Sequence, residues 1–276
     1  MRHAMGRVMS ENIFGSTISR NDRCAPLATQ VHVWRFSLVQ RDDVIARLFA
    51  ILSADEIARV ARLRFLEHKT KAIVARGVLR AILGEYLAMP ASKLSFFYGE
   101  AGKPALRFPA QTTLEFNLSH SHEEGVLAIT CSRRLGIDIE YVNEAAERVG
   151  LADRFFSPAE ARLLKQIDPD RRNIAFYHTW VQKEAYLKAL GQGLRIPLNA
   201  FSVSVDPDLN TQLIHVSDEI REEQAVWKIH RLDVQHNYIG ALVVDGSGLE
   251  LTYFDWRMTA QAPDLEKQPE KNCCFS

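Results

Sequence analysis

The chain has 276 residues, 47% apolar and 25% charged, the balance of a globular protein long enough for one large domain or two ordinary ones. Lys plus Arg and Asp plus Glu number 34 each; the zero formal charge argues against a field-driven binder of nucleic acid or anionic membrane and leaves any basic site local. No apolar run approaches the ~20 residues needed to span a bilayer.

Residues 1–28 lack periodicity and read as a loose extension; "MRHAMGRVMSENIFGS" has no continuous apolar core of the secretory kind. Cys24, Cys131, Cys273 and Cys274 form neither a CxxC pair nor an evenly spaced framework, so reduced thiols and a cytoplasmic location are expected. "VHVWRFSL" (31–38) predicts a strand. Ser53 with Glu56 makes a capping box for a helix over 54–66, and apolar spacings of three and four predict a longer helix over 69–88, closed by Pro90. Strands are predicted at 93–98, 114–119 and 125–131, then at "LGIDIEYV" (135–142). The second half repeats this order. Ser157-Pro158-Ala159-Glu160 opens a helix to about 167, and a second helix over 172–190 stops at Gly191 and Gly193. Strands follow at 201–205, 225–234 and 238–245. "HEEGVLAITC" (122–131) echoes "HNYIGALVVD" (236–245). The expected fold is α+β: two pseudo-symmetric lobes, each a small, mostly antiparallel sheet packed with helices. The N-terminal lobe is expected over 29–131, the C-terminal lobe over 132–258, and a disordered tail over 259–276.

Two anomalies carry chemistry. In 135–142 the apolar residues alternate, which puts Asp138 and Glu140 on one face, ~7 Å apart from the strand rise. Like charges that close repel, so deleting either predicts unchanged or higher metal-free stability. On the helix "AFYHTWVQKEAYLKALGQGL" (175–194), Glu184 shares a stripe with Trp180 and Leu187, and Lys188 follows one turn on. Such a pair alone is ordinary on a solvated helix. Three converging acidic groups without a Cys or His cluster would suit Mg²⁺, which keeps positions for substrate phosphate. Cations crowd the two N-terminal helices: Arg59, Arg62, Arg64, His68, Lys69, Lys71, Arg76 and Arg80. "GKP" sets Lys103 in a turn, and "FNLSHSH" ends a strand in Ser119 and His120, both able to bond a phosphate.

Together the stretches "GKP" (102–104), "FNLSHS" (116–121), "GIDIE" (136–140), "RFFSPAE" (154–160), "WVQKEAYLKALGQGL" (180–194) and "PLNAFSV" (197–203) resemble one family. It is the 4′-phosphopantetheinyl transferases of the surfactin-synthetase-activator (Sfp) type, and the resemblance covers roughly residues 30–245. It implies a monomer with coenzyme A bound between two pseudo-symmetric lobes. By the matching positions it implies Mg²⁺ on Asp138, Glu140 and Glu184, with Glu184 also activating the serine of an apo acyl or peptidyl carrier protein. Lys188 would sit beside the pyrophosphate and assist departure of 3′,5′-ADP. Lys103, Ser119 and His120 match contacts to the nucleotide and its phosphates, and Arg64 and Arg76 match basic phosphate contacts through a looser motif. Where related sequences often carry Asp-Arg, this chain has "HKTK" (68–71). Two other readings use the same residues: a Mg²⁺-dependent phosphohydrolase with water as nucleophile, and a non-catalytic coenzyme A-binding protein.

Overall fold

The computed structural model describes residues 29–99, 102–109, 112–143, 148–191, 195–209, 211, 213–216 and 225–258. The expected extension (1–28), the expected tail (259–276) and the stop at Gly193 lie outside them.

The first half runs β1 (Gln30–Ser37), α1 (Asp42–Ala50), α2 (Ala54–Ala61), α3 (Leu66–Leu87), a hairpin of β2 (Ser95–Tyr98) and β3 (Pro104–Phe108), then β4 (Leu114–Ser121) and β5 (Glu124–Cys131). The second half repeats that order: β6 (Leu135–Tyr141), α4 (Ala152–Phe155), α5 (Pro158–Gln166), α6 (Pro169–Leu190), a hairpin of β7 (Phe201–Val203) and β8 (Leu213–Val216), then β9 (Trp227–Arg231) and β10 (Tyr238–Asp245). A last strand, β11 (Glu250–Asp255), has no counterpart in the first half. The sheets repeat as well. One is ordered β11-β1-β5-β4 and the other β6-β10-β9, so β1, β5 and β4 correspond to β6, β10 and β9. The echo in letters therefore falls on the corresponding strands β5 and β10. Main-chain pairing is antiparallel except for β11, which returns to the first sheet and lies parallel to β1.

Each half also builds the same buried lock. In the first, Glu56 accepts from the Ser53 backbone N–H at 3.0 Å and from Arg80 Nε at 2.6 Å. Arg80 Nη1 then holds the carbonyls of Ala91 and Leu94, just past the long helix. In the second, Glu160 accepts from the Ser157 N–H at 2.8 Å and pairs with Lys183 Nζ at 2.8 Å. Lys183 in turn holds the carbonyls of Leu198 and Phe201. A buried charge is costly unless paired and hydrogen-bonded, and in both lobes the capping-box glutamate supplies that pairing. The lock fixes each long helix to the chain on either side of it.

Three apolar clusters follow. Trp34, Phe36, Leu79 and Leu83 lie between the first sheet and its helices. Phe176, Tyr186, Phe201 and Val243 do the same in the second lobe. Val31, Val33, Val126 and Ala128 meet Leu135, Ile137, Ile139 and Leu242 between the lobes. Each sheet thus buries both faces, one under helices and one against its mate, and β5 and β10 are buried through their whole interiors.

Some elements differ from the sequence reading. The helix predicted to 66 ends at Ala61, and the next begins at Leu66, because Phe65 is extended and serves as its N-cap. The predicted strand 225–234 is confined to Trp227–Arg231. Helices α1 and α4 and strands β3, β8 and β11 were not foreseen.

Candidate active site

The site forms where β4, β6 and α6 meet. Gly136 explains how β6 can lie against α6. A Cβ there would sit 2.1 Å from the Ala185 carbonyl oxygen and 2.4 Å from the Ala189 nitrogen, both backbone atoms that cannot move aside. Glycine thus permits strand-to-helix backbone contact. Two residues on, Asp138 points to the same side and is buried beneath α6, 4% exposed.

Lys188, in the last turn of α6, donates to Asp138 Oδ1 at 2.7 Å, to Ser119 Oγ at 2.9 Å and to the Ile137 carbonyl at 3.2 Å. Ser119 Oγ donates to the same Asp138 oxygen at 2.9 Å. Asp138 Oδ2 is buried with no hydrogen-bond partner. Glu140 lies half-buried near the strand end, its Oε2 accepting from Ser121 Oγ at 2.7 Å. Glu184 is half-buried on α6. Burial raises the Glu184 carboxyl above its ordinary value; Asp138 and Glu140 push the same way and Lys188 opposes them. Glu140 is raised by burial and then by Asp138, against the Ser121 bond and Lys188. The three carboxylates therefore feel one another across two elements.

Strand β4 joins β6 through side chains in place of a main-chain ladder. Asn117 Oδ1 accepts from the Ile137 N–H, Ser119 and Ser121 take the aspartate and glutamate, and the Tyr141 N–H donates back to Ser121 Oγ. Asn117 and Ser121 were missed as site residues, although N-x-S-x-S at period two was visible on one strand face. Beyond Ser121 the hairpin turns through His122, held at φ 52° with its ring 4.6 Å from that of Tyr141.

The phosphate candidates divide. His120 is exposed, and burial followed by the charges of Lys188, Arg76 and Lys71 holds its pKa below the ordinary value. Since the residue is exposed, those neighbouring cations are the more informative cause: α3 and α6 both bring positive charge to it. Arg76 has a buried Nη1 without a hydrogen-bond partner, and the Tyr98 hydroxyl beside it has none either. The Tyr98 ring lies 3.5 Å from the Arg59 guanidinium and 5.4 Å from that of Arg76. Tyr98 was not anticipated, because nothing in "SFFY" sets it apart from a core aromatic. Arg64 lies on the exposed corner between α2 and α3, its guanidinium over the Phe65 ring. Lys103 Nζ donates to the carbonyls of Leu135 at 2.8 Å and Lys188 at 3.0 Å, so its charge sits at the C-terminal end of α6. Burial pulls its pKa down to about 8.

A hard divalent cation takes oxygen donors, and this site offers carboxylates. Among the described residues, no three acidic, His or Cys side chains stand as a ready ligand group. Lys188 covers one oxygen of Asp138, and Ser121 covers one of Glu140. Yet the set is all carboxylate, its members repel one another, and the buried Asp138 Oδ2 lacks a partner. These residues fit Mg²⁺.

Comparison with known proteins gives two family matches. Residues 134–243 match the 4′-phosphopantetheinyl transferase superfamily, and residues 39–132 match the family described as 4′-phosphopantetheinyl transferase, N-terminal. The 4′-phosphopantetheinyl transferase HetI of Nostoc is 35% identical over 83% of this chain and 94% of its own length. A 4′-phosphopantetheinyl transferase of Bacillus subtilis is 32% identical over 70% of this chain and 81% of its own. The B. subtilis enzyme Sfp is 30% identical over 59% and 70%.

Proposed function

The chain belongs to the 4′-phosphopantetheinyl transferase superfamily, and from that membership we propose that it moves the 4′-phosphopantetheine group of coenzyme A onto a serine of an apo acyl or peptidyl carrier protein, with Mg²⁺, releasing 3′,5′-ADP. The observation that carries the proposal is the meeting of β4, β6 and α6, where Lys188 and Ser119 both bond Asp138, Ser121 holds Glu140 two residues on, and Glu184 lies one turn before Lys188. A pyrophosphate and its metal need both carboxylates and a cation.

In this reading Asp138, Glu140 and Glu184 hold the metal. When bound, Mg²⁺ neutralises charge that builds on the phosphate oxygens. Arg76 offers its unpartnered N–H to a phosphate, with His120 and Ser119 beside it, and Lys71 and Lys103 add positive field. Arg64, at the exposed corner, adds positive charge at the edge of the phosphate contacts. Holding the substrate by several such contacts supplies the positioning part of the rate. Glu184 accepts the proton of the carrier serine as its oxygen bonds to phosphorus, and Lys188 donates to the pyrophosphate as the bond to the leaving 3′,5′-ADP breaks. The first lobe contributes the phosphate contacts and the second the carboxylates and Lys188. One chain supplies both sides of the cleft and works as a monomer in the cytoplasm. Among the described residues no helix is long and apolar enough to cross a membrane.

Intact-mass analysis of several apo carrier proteins, incubated with the enzyme, Mg²⁺ and coenzyme A, tests the proposal. One carrier should gain a single phosphopantetheine, with 3′,5′-ADP appearing only when carrier is present. Release of 3′,5′-ADP from coenzyme A alone would identify a hydrolase. Unmodified carriers with intact coenzyme A would leave a binding protein.

A further inference from the structure

An ammonium has three N–H donors, and Lys188 has committed all of them within the protein: to Asp138 Oδ1, Ser119 Oγ and the Ile137 carbonyl. It therefore has none left for a phosphate. Any contact with a pyrophosphate requires Lys188 to release at least one of these bonds. Meanwhile Asp138, the most buried of the three carboxylates, spends one oxygen on Lys188 and Ser119 and leaves the other without a partner. A divalent ion on that second oxygen would share one carboxylate with the ammonium, and two cations a few ångströms apart weaken each other's binding.

We infer that Lys188 is the resident counter-cation of the metal-free site and couples metal binding to coenzyme A binding. The inference rests on the metal reading above and extends it. With the cleft empty, Lys188 neutralises Asp138, keeps its buried charge paired and lowers the affinity for a free metal ion. When a pyrophosphate enters, Lys188 transfers hydrogen bonds to it, and Asp138 is released to the metal. Ser119, bonded to both Lys188 and Asp138, remains as a donor to the aspartate while the lysine leaves. Metal and coenzyme A should each bind more tightly in the presence of the other, and Lys188 should account for part of that coupling.

The test is titration with Mn²⁺, the free ion being counted by electron paramagnetic resonance, with and without coenzyme A. Without coenzyme A, Lys188→Met should bind Mn²⁺ roughly tenfold more tightly than the wild type, within the usual range of such couplings. Coenzyme A should then tighten Mn²⁺ binding less in the variant than in the wild type. Lys188→Gln, which keeps a donor but no charge, should show the same sign and serves if the methionine variant melts early. Equal or weaker Mn²⁺ binding by the lysine variants, beside normal wild-type binding with coenzyme A, overturns this inference alone. Absence of bound Mn²⁺ in the wild type with coenzyme A, or wild-type affinity in Asp138→Asn, overturns the metal reading and this inference with it.

Discussion

Asp138 and Glu140 are two residues apart on one strand yet live in different surroundings. Asp138 is buried and bonded to Lys188 and Ser119, whereas Glu140 is half-buried, pushed up by burial and by Asp138, and relieved chiefly by Ser121. The sequence shows only two like charges and predicts that deleting either is harmless to metal-free stability. The structure keeps that expectation for Glu140 and reverses it for Asp138. Thermal melts without metal should show Glu140→Ala unchanged or higher. Asp138→Ala should lose about 1–3 kcal/mol, because Lys188 and Ser119 lose their acceptor. Glu184 is distinguished by its proposed role. Glu184→Gln keeps an oxygen for the metal but cannot take a proton, so coenzyme A should still bind while kcat falls by ~10²–10⁴. Calorimetry of coenzyme A binding beside single-turnover transfer checks both halves, and normal turnover would move the base elsewhere.

At the scale of elements the site depends on how closely β6 lies on α6. Gly136 sets that distance, since its absent side chain is replaced by the backbone of Ala185, Lys188 and Ala189. Gly136→Ala should therefore cost roughly 3 kcal/mol or more, at the upper end for overpacking. It should also lose coenzyme A binding, because Asp138 moves away from Lys188. Differential scanning calorimetry and binding titrations read the two effects; a variant with native stability would show that β6 can give way. The elements themselves were legible where one periodicity ruled. The long helices α3 and α6, the capping boxes of α2 and α5 and the strands β4, β5, β6 and β10 all announce themselves. Five elements did not, the four-residue helix α4 among them. The pattern of α1, "DDVIARLFA", is short, and its N-cap Arg41 makes no side-chain capping bond. Strands β3 and β8 are brief members of hairpins, and β11 gains its meaning only from β1, more than 200 residues earlier in the chain. The chemistry was easier to read than the packing. "GIDIE" and "KEAYLK" carry their carboxylates in the open, but that Lys188 would turn onto Asp138 depends on how α6 packs on β6 within the second lobe, and that Lys103 would reach the carbonyls of Leu135 and Lys188 depends on contact between the lobes; no local pattern encodes either.

The whole molecule is two halves of like element order that differ at the site. By sheet order β9 corresponds to β4, and β4 borders β6 at the site. In the other half β11 occupies the free edge of β1. The facing residues differ too: β1 turns Trp34 and Phe36 into its own lobe's core where β6 turns Asp138 and Glu140 toward α6. The β6 side thus carries the carboxylates, and the corresponding β1 side carries core aromatics. Stability of this body should depend on pH through two buried histidines. His32 and His178 have pKa values lowered from 6.5 to about 4 by burial. Between those values the unfolded chain takes up protons that the folded one refuses. Their contribution is full above about pH 6.5 and is lost as pH falls toward 4, about 3 kcal/mol for each. The raised carboxylates Glu140 and Glu184 act in the opposite sense on acidification, so the comparison is between variant and parent. Denaturant midpoints from pH 7 to 4 should fall less steeply in His178→Gln than in the wild type; parallel curves would count against the buried neutral imidazole. A crystal grown with Mn²⁺ and coenzyme A would reveal most directly whether three carboxylates from β6 and α6 gather one metal ion beside coenzyme A. The anomalous difference map should show one peak bounded by Asp138, Glu140 and Glu184, about 2.1 Å from their oxygens as for Mg²⁺. A peak elsewhere, or coenzyme A in the cleft with no metal among these residues, would contradict the three-carboxylate site.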